Sequence, residues 1–156
     1  MADESGLIAE YLYGKLNVSA VTNALGTAAR IYDTFVPQSP ITGQTLLFPC
    51  IVFQQQAGVD VWGVGARRIF VRPLWTVKVI LDSGSTVYNS FKHAGTIFSI
   101  VDATLQNTSG AVTDGSIYSC YRDSDSIRYT EPKPAGGYFL HRGAMFRIEA
   151  RATVTP

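Results

Sequence analysis

The sequence predicts an α+β fold: one domain over residues 1–156, built as a mostly antiparallel sheet with helices packed on one face. Three observations lead there. Residues 68–82 and 138–154 alternate apolar and polar side chains with the period of two that a half-buried strand requires. Residues 86–106 place Val87, Phe91, Ala94, Phe98, Val101 and Leu105 at steps of three and four, the stripe of an amphipathic helix. The elements also run helix, helix, three strands, helix, three strands. The strict strand–helix alternation of a parallel sheet is absent.

Residues 3–16 read as the first helix, with Asp3 or Ser5 as cap, Glu4 at the positive end of the dipole, and Leu7, Ile8, Tyr11, Leu12 and Leu16 on one face. Residues 18–25 form a short second helix stopped by Gly26. Residues 30–36 read as a strand ended by Pro37, and the Pro-, Gly- and Gln-bearing residues 37–45 as a loop. Residues 48–56 are a strong strand with Pro49 at its start, where a missing N–H does least harm. Residues 57–66 hold three glycines and read as a turn or loop. The strand at 68–82 directs Ile69, Val71, Trp75, Val77, Val79 and Leu81 to one side and Arg72, Thr76 and Lys78 to the other. After the helix at 86–106 comes a polar turn, residues 107–115. Residues 116–122 and 127–131 flank Asp123-Ser124-Asp125-Ser126 and read as a hairpin. The final strand turns Phe146, Ile148, Ala150, Ala152 and Val154 to the core and Arg147, Glu149, Arg151 and Thr153 outward.

Composition narrows the function classes. Of the 156 residues, 46% are hydrophobic and 12% aromatic. Only 16% are charged, against about 25% in an average soluble domain. Disorder is excluded by that apolar content. A net charge of +1 argues against a protein that neutralises many phosphates. The charge deficit instead suggests apolar surface that other subunits cover. The acidic N-terminus lacks the basic and apolar pattern of a signal peptide, so Cys50 and Cys120 read as two buried free thiols in a reducing cytoplasm.

Catalytic patterns are sparse. His93 and His141 lie far apart on a helix and a strand and read as structural or interface residues. Asp123-x-Asp125 lacks the glycine and distal glutamate of a calcium loop and reads as turn chemistry. Gly63-Val64-Gly65 lacks the third glycine of a dinucleotide fingerprint. No cofactor or metal is expected. Arg67, Arg68 and Arg72 form a basic cluster fit to pair with a neighbour's carboxylates or touch passing phosphates. The loop at 58–68 and the region containing Tyr118, Tyr121, Tyr129 and Tyr138 are long for a compact domain and are the expected interface.

The order of these features resembles the phage tail terminator (tail completion) family. The resemblance rests on the paired N-terminal helices, then Ala29-Arg30-Ile31-Tyr32 and the loop Val36-Pro37-Gln38. It continues through Phe48-Pro49-Cys50-Ile51-Val52-Phe53-Gln54, a long strand leading into the amphipathic helix, and a closing Phe146-Arg147-Ile148. The Tyr-rich stretch at 118–137 is longer than the family pattern. The resemblance implies a structural virion protein, not an enzyme. Such a protein forms a ring, typically hexameric, that caps the tail tube, ends its elongation and offers a docking surface to the head connector. Its partners would be further copies of itself, the tube protein and the connector or stopper protein, with DNA only in transit through the lumen and no membrane. It would reside at the head-proximal end of the tail after assembly in the host cytoplasm. Two other readings stay open: a head–tail joining or tube protein, and a small ligand-binding domain or enzyme with a cleft near His141 and Asp123.

Overall fold

The last strand, β9 (Tyr138–Ala152), organises the structure, because its 15 residues are long enough to pair with different partners along each edge. The structure is a computed structural model that describes residues 4–26, 29–37, 47–63, 68–124 and 127–153. Before β9 come α1 (Glu4–Leu16), α2 (Ser19–Ala24), β1 (Ile31–Asp33), β2 (Cys50–Ala57), β3 (Asp60–Trp62), β4 (Arg68–Val71) and β5 (Leu74–Asp82). They are followed by α3 (Phe91–Leu105), β6 (Thr108–Val112), β7 (Gly115–Arg122) and β8 (Ile127–Pro132). One edge of β9 pairs with β5, from Asp82↔Phe139 to Leu74↔Arg147, and then with β4 at Val71↔Ala150. The other edge pairs with β8 as far as Ile127↔Gly143 and then with β7 from Arg122↔Phe146 to Gly115↔Ala152. The sheet extends outward through β2 to β1, through β4 to β3, and through β7 to β6.

The fold is α+β, but the sheet is mixed where a mostly antiparallel one is expected. Strand β1 runs parallel to β2, with Ile31 opposite Ile51 and Asp33 opposite Phe53. The connection between them, residues 34–49, supplies the dozen or more residues that a parallel crossover needs.

Several boundaries differ from the sequence expectation for identifiable reasons. Helix α3 begins at Phe91, because the Ser85 hydroxyl takes the Val87 and Tyr88 N–H groups into a local turn and Ser90 supplies the cap, accepting from His93 N. The strand expected at 68–82 is cut in two after Val71: Arg72 N donates to Val59 O across to the neighbouring segment, and Pro73 has no N–H to give. The glycine-bearing and polar stretches read as turns contain the short strands β3 and β6. Strands β7 and β8 do not form a hairpin with each other. They occupy successive stretches of one β9 edge, and Asp123 N donates to Met145 O between them. The hairpin in this region is β8–β9, closed by Lys133 N to Gly137 O. Asp3, residues 38–46, Arg67, Asp125, Ser126 and Val154 lie outside the described residues.

Alternation sorts the sheet into two faces. Ile51 and Phe53 of β2, Trp75, Val77, Val79 and Leu81 of β5, and Ala144, Phe146, Ile148 and Ala150 of β9 are buried against α1, α2 and α3. The helices contribute Ile8, Tyr11, Leu12 and Leu16, then Val21, then Ala94, Ile97, Phe98, Val101 and Leu105. Helices on one face are therefore what the structure has. Cys50 and Cys120 are free and buried, and burial pushes both thiols up to about 12.

Candidate interface on the helix-free face of the sheet

The opposite face carries side chains that alternation directs away from the helices. A small apolar cluster of Tyr32, Cys50, Val52 and Ile80 covers one corner, with Phe48 and Phe139 packed ring to ring at 4.8 Å. Beside it, Tyr129 of β8 lies flat on His141 of β9, centroids 4.3 Å apart and planes 9° apart. Their residues are direct cross-strand partners, so the stack follows from register. Lys78 Nζ donates to the Tyr129 hydroxyl at 3.0 Å, and Glu131 Oε2 lies 3.1 Å from His141 Nε2. Further along β9, Arg147 grips Asp123 through Nε at 2.9 Å and Nη2 at 3.0 Å, and these hydrogen bonds hold the Asp123 carboxyl below the usual carboxylate range. Arg72 Nε donates to Glu149 Oε1 at 2.7 Å, and Ser119 Oγ donates to Glu149 Oε2 at 3.0 Å.

His141 is 3% exposed. Its burial, and then the Lys78 ammonium, lower its pKa below the ordinary histidine value, with Glu131 acting in the opposite sense. The unfolded chain therefore binds this proton more readily than the folded one. Stability present with the neutral imidazole falls as pH drops through about 6.5 toward the folded value. Thermal unfolding followed from about pH 8 to pH 5 is expected to show a steeper loss in the wild type than in His141→Gln. Parallel slopes would contradict this assignment.

The expected interface residues are distributed unevenly. Tyr118, Tyr121 and Tyr129 all belong to strands along one edge of β9. Tyr129 stacks as described, Tyr121 is opposite Arg147, and Tyr118 is half exposed with its ring edge-on to Phe70 at 6.3 Å. Tyr138 sits at the end of the β8–β9 hairpin opposite Pro132, and by alternation falls on the helix side. Arg72 is occupied by Glu149 and is not a free cation. Arg68 opens β4, while its neighbour Arg67 lies outside the described residues. His141 and Asp123 are not neighbours: Asp123 contacts Met145 and Arg147, and His141 is about four β9 residues away, roughly 13 Å, under Tyr129. Sequence reading missed the joint placement of Lys78, Tyr129, Glu131 and His141. Its signal was the alternation of β5, which already turns Lys78 outward.

Among the described residues, no group of three or more His, Cys, Asp or Glu is placed to hold a metal ion. No helix among them is long and apolar enough to cross a membrane. One surface cavity, of about 330 Å³, is lined by Ser5, Asp33, Gln54 and Trp75.

No protein-family model matches the sequence, and no curated protein matches it. Among solved structures, 24 chains match. One of them belongs to the virion of a native gene transfer agent (GTA) particle. The two share 14% identity with a TM-score of 0.67, over 94% of this chain and 96% of that one. At that identity the likeness establishes a shared fold, carried nearly from end to end.

Proposed function

We propose that this chain is a structural protein of a phage-like virion and acts as a tail terminator, a ring that caps the tail tube, ends its elongation and receives the head connector. The observation that carries the reading is the near full-length fold likeness to a chain of a gene transfer agent virion. The sequence resemblance to tail terminators supports the finer part. The surface chemistry fits a binding role: on the helix-free face Arg72 and Arg147 are tied to Glu149 and Asp123, and the Tyr129–His141 stack, with Lys78 on the Tyr129 hydroxyl, lies further along β9. Aromatic side chains with few free charges are the composition of subunit contacts. A lumen lined by neutralised charge lets DNA slide without holding its phosphates. The protein's partners are copies of itself, the tube protein and the connector.

The test has two parts. Sedimentation and negative-stain images of purified protein are expected to show closed rings. Deletion of the gene is expected to give overlong tubes, shortened when the protein is supplied. Rings that bind no tube ends, with tubes of normal length in the deletion, would move the assignment to a head–tail joining protein. A chain that stays monomeric with and without tubes would overturn it.

A further inference from the structure

One tier of the sheet runs straight from edge to edge: Ile31 pairs with Ile51, Ile51 with Val79, Val79 with Arg142, and Arg142 with Arg128. Its two outer strands, β1 and β8, carry complementary surfaces.

On the β8 side, a cavity of about 290 Å³ is lined by Phe91, Lys92, Gly95, Arg128 and Arg142. Arg128 and Arg142 are direct cross-strand partners, a like-charge placement that destabilises a ladder by itself. The Arg128 guanidinium lies over the Phe91 ring at 4.4 Å from its centroid. No carboxylate lines the cavity, and among the described residues none of the three cations is in an ion pair. The groove thus holds a guanidinium stacked on an aromatic ring and three positive charges with no counter-charge among the described residues.

On the β1 side, the chain turns sharply after Asp33. Thr34 holds φ at +70°, a strained value for a β-branched residue. The corner is fixed by Thr34 N to Phe53 O and Phe35 N to Asp33 O, both 2.8 Å. The Asp33 carboxylate accepts from Thr34 Oγ1 at 2.9 Å and has no cation partner among the described residues. Phe35, 72% exposed, is the most exposed large hydrophobic residue among those described. The strained corner thus carries a carboxylate and an exposed ring two residues apart at the end of the edge strand β1.

We infer that the Asp33–Thr34–Phe35 corner of one copy of this chain docks in the α3–β8–β9 groove of the next copy, with the phenyl ring against the Arg128 guanidinium that covers Phe91 and the carboxylate between Arg128 and Arg142. The inference rests on the ring reading above and identifies the contact that builds the ring. A cavity of roughly 150 Å³ already admits benzene, so the groove has room for the ring and the carboxylate beside it. Seating a carboxylate between the arginines relieves their repulsion and forms charge-assisted hydrogen bonds. Because corner and groove occupy opposite edges of one tier, the contact is heterologous: it runs head to tail and closes by rotation.

The test is a charge exchange read by sedimentation velocity. The corner variant is Asp33→Arg and the groove variant is Arg128→Glu with Arg142→Glu. Each alone is expected to associate at least about 30-fold more weakly than wild type, the loss expected of an interface hot spot. Equimolar mixing is expected to restore rings of alternating variants, since each altered corner then meets an altered groove and each native corner a native one. Phe35→Ala changes an exposed side chain, leaves the fold intact, and is expected to weaken association similarly. The milder Arg128→Gln with Arg142→Gln covers the case in which the groove variant fails to fold. Wild-type rings with unaffected variants would overturn this contact and leave the ring reading standing. Folded variants that do not recover on mixing would overturn it too. So would a duplex oligonucleotide that occupies the groove of intact rings, measured as protection of Arg128 and Arg142 from a guanidinium reagent. A wild-type chain that never assembles would overturn the ring reading itself.

Discussion

Gly143→Ala is expected to be among the most damaging single-methyl changes in this protein. Gly143 sits inside β9, opposite Lys78 on one edge and Ile127 on the other. A Cβ there would meet the Val77 carbonyl oxygen, and would stand 2.7 Å from both Cα and Cβ of Lys78. These are backbone or backbone-fixed atoms, so no rotamer change makes room, and the methyl must push β5 and β9 apart. Overpacking of this kind costs about 3 kcal/mol. At about 2–4 °C per kcal/mol for a chain of this size, Tm should fall by roughly 6–12 °C. Gly14→Ala in α1 is the matched control: a Cβ there meets nothing within 4 Å, and helix propensity favours alanine by up to about 1 kcal/mol. Calorimetry of the two variants checks the contrast. Equal Tm values for Gly143→Ala and wild type would show that the ladder spreads freely.

Phe146→Ala should be at least as costly for the opposite reason. Phe146 is fully buried, opposite Trp75 on β5 and Arg122 on β7, and its ring joins the core beneath the helices. Removing it leaves a void bounded by three strands whose spacing is fixed by hydrogen bonds, so the site cannot collapse. The expected loss is about 3–5 kcal/mol, with Phe146→Leu losing less than half of that. Denaturant unfolding measures it; a loss below about 1 kcal/mol would mean that neighbouring side chains refill the space.

Features that one residue's neighbours in sequence determine were legible in the sequence. The alternation of β9 and β5 appears because one face of each is dry and the other is not. The stripe of α3 appears for the same reason at the helical period. What depends on register was not legible. Strand β3 is only three residues long between glycine-bearing segments, and β6 is polar and glycine-bearing; both are held as strands by their partners. Residues 123–126 have the composition of a hairpin turn, yet the chain on either side of them follows the same β9 edge; composition does not distinguish the two. The α3 start was misread because Val87 fits the helical stripe while the Ser85 hydroxyl captures its N–H. The candidate site shows the same division. That Lys78, Tyr129 and His141 face away from the helices follows from period two, but that they meet each other follows from pairings across 51 residues of sequence. Arg72 looked like a free cation because its partner, Glu149, lies 77 positions away.

The double-sided pairing of β9 also has a mechanical meaning. At roughly 3.4 Å per residue the strand is about 50 Å long. Its neighbours β5, β7 and β8 all run antiparallel to it. Tension applied along its axis loads those ladders in shear, so many hydrogen bonds resist together instead of opening in turn. Between β7 and β8 their common edge of β9 is held by Asp123, whose N–H donates to Met145 O and whose carboxylate accepts from Arg147. A protein built this way bears lateral strain along its longest strand.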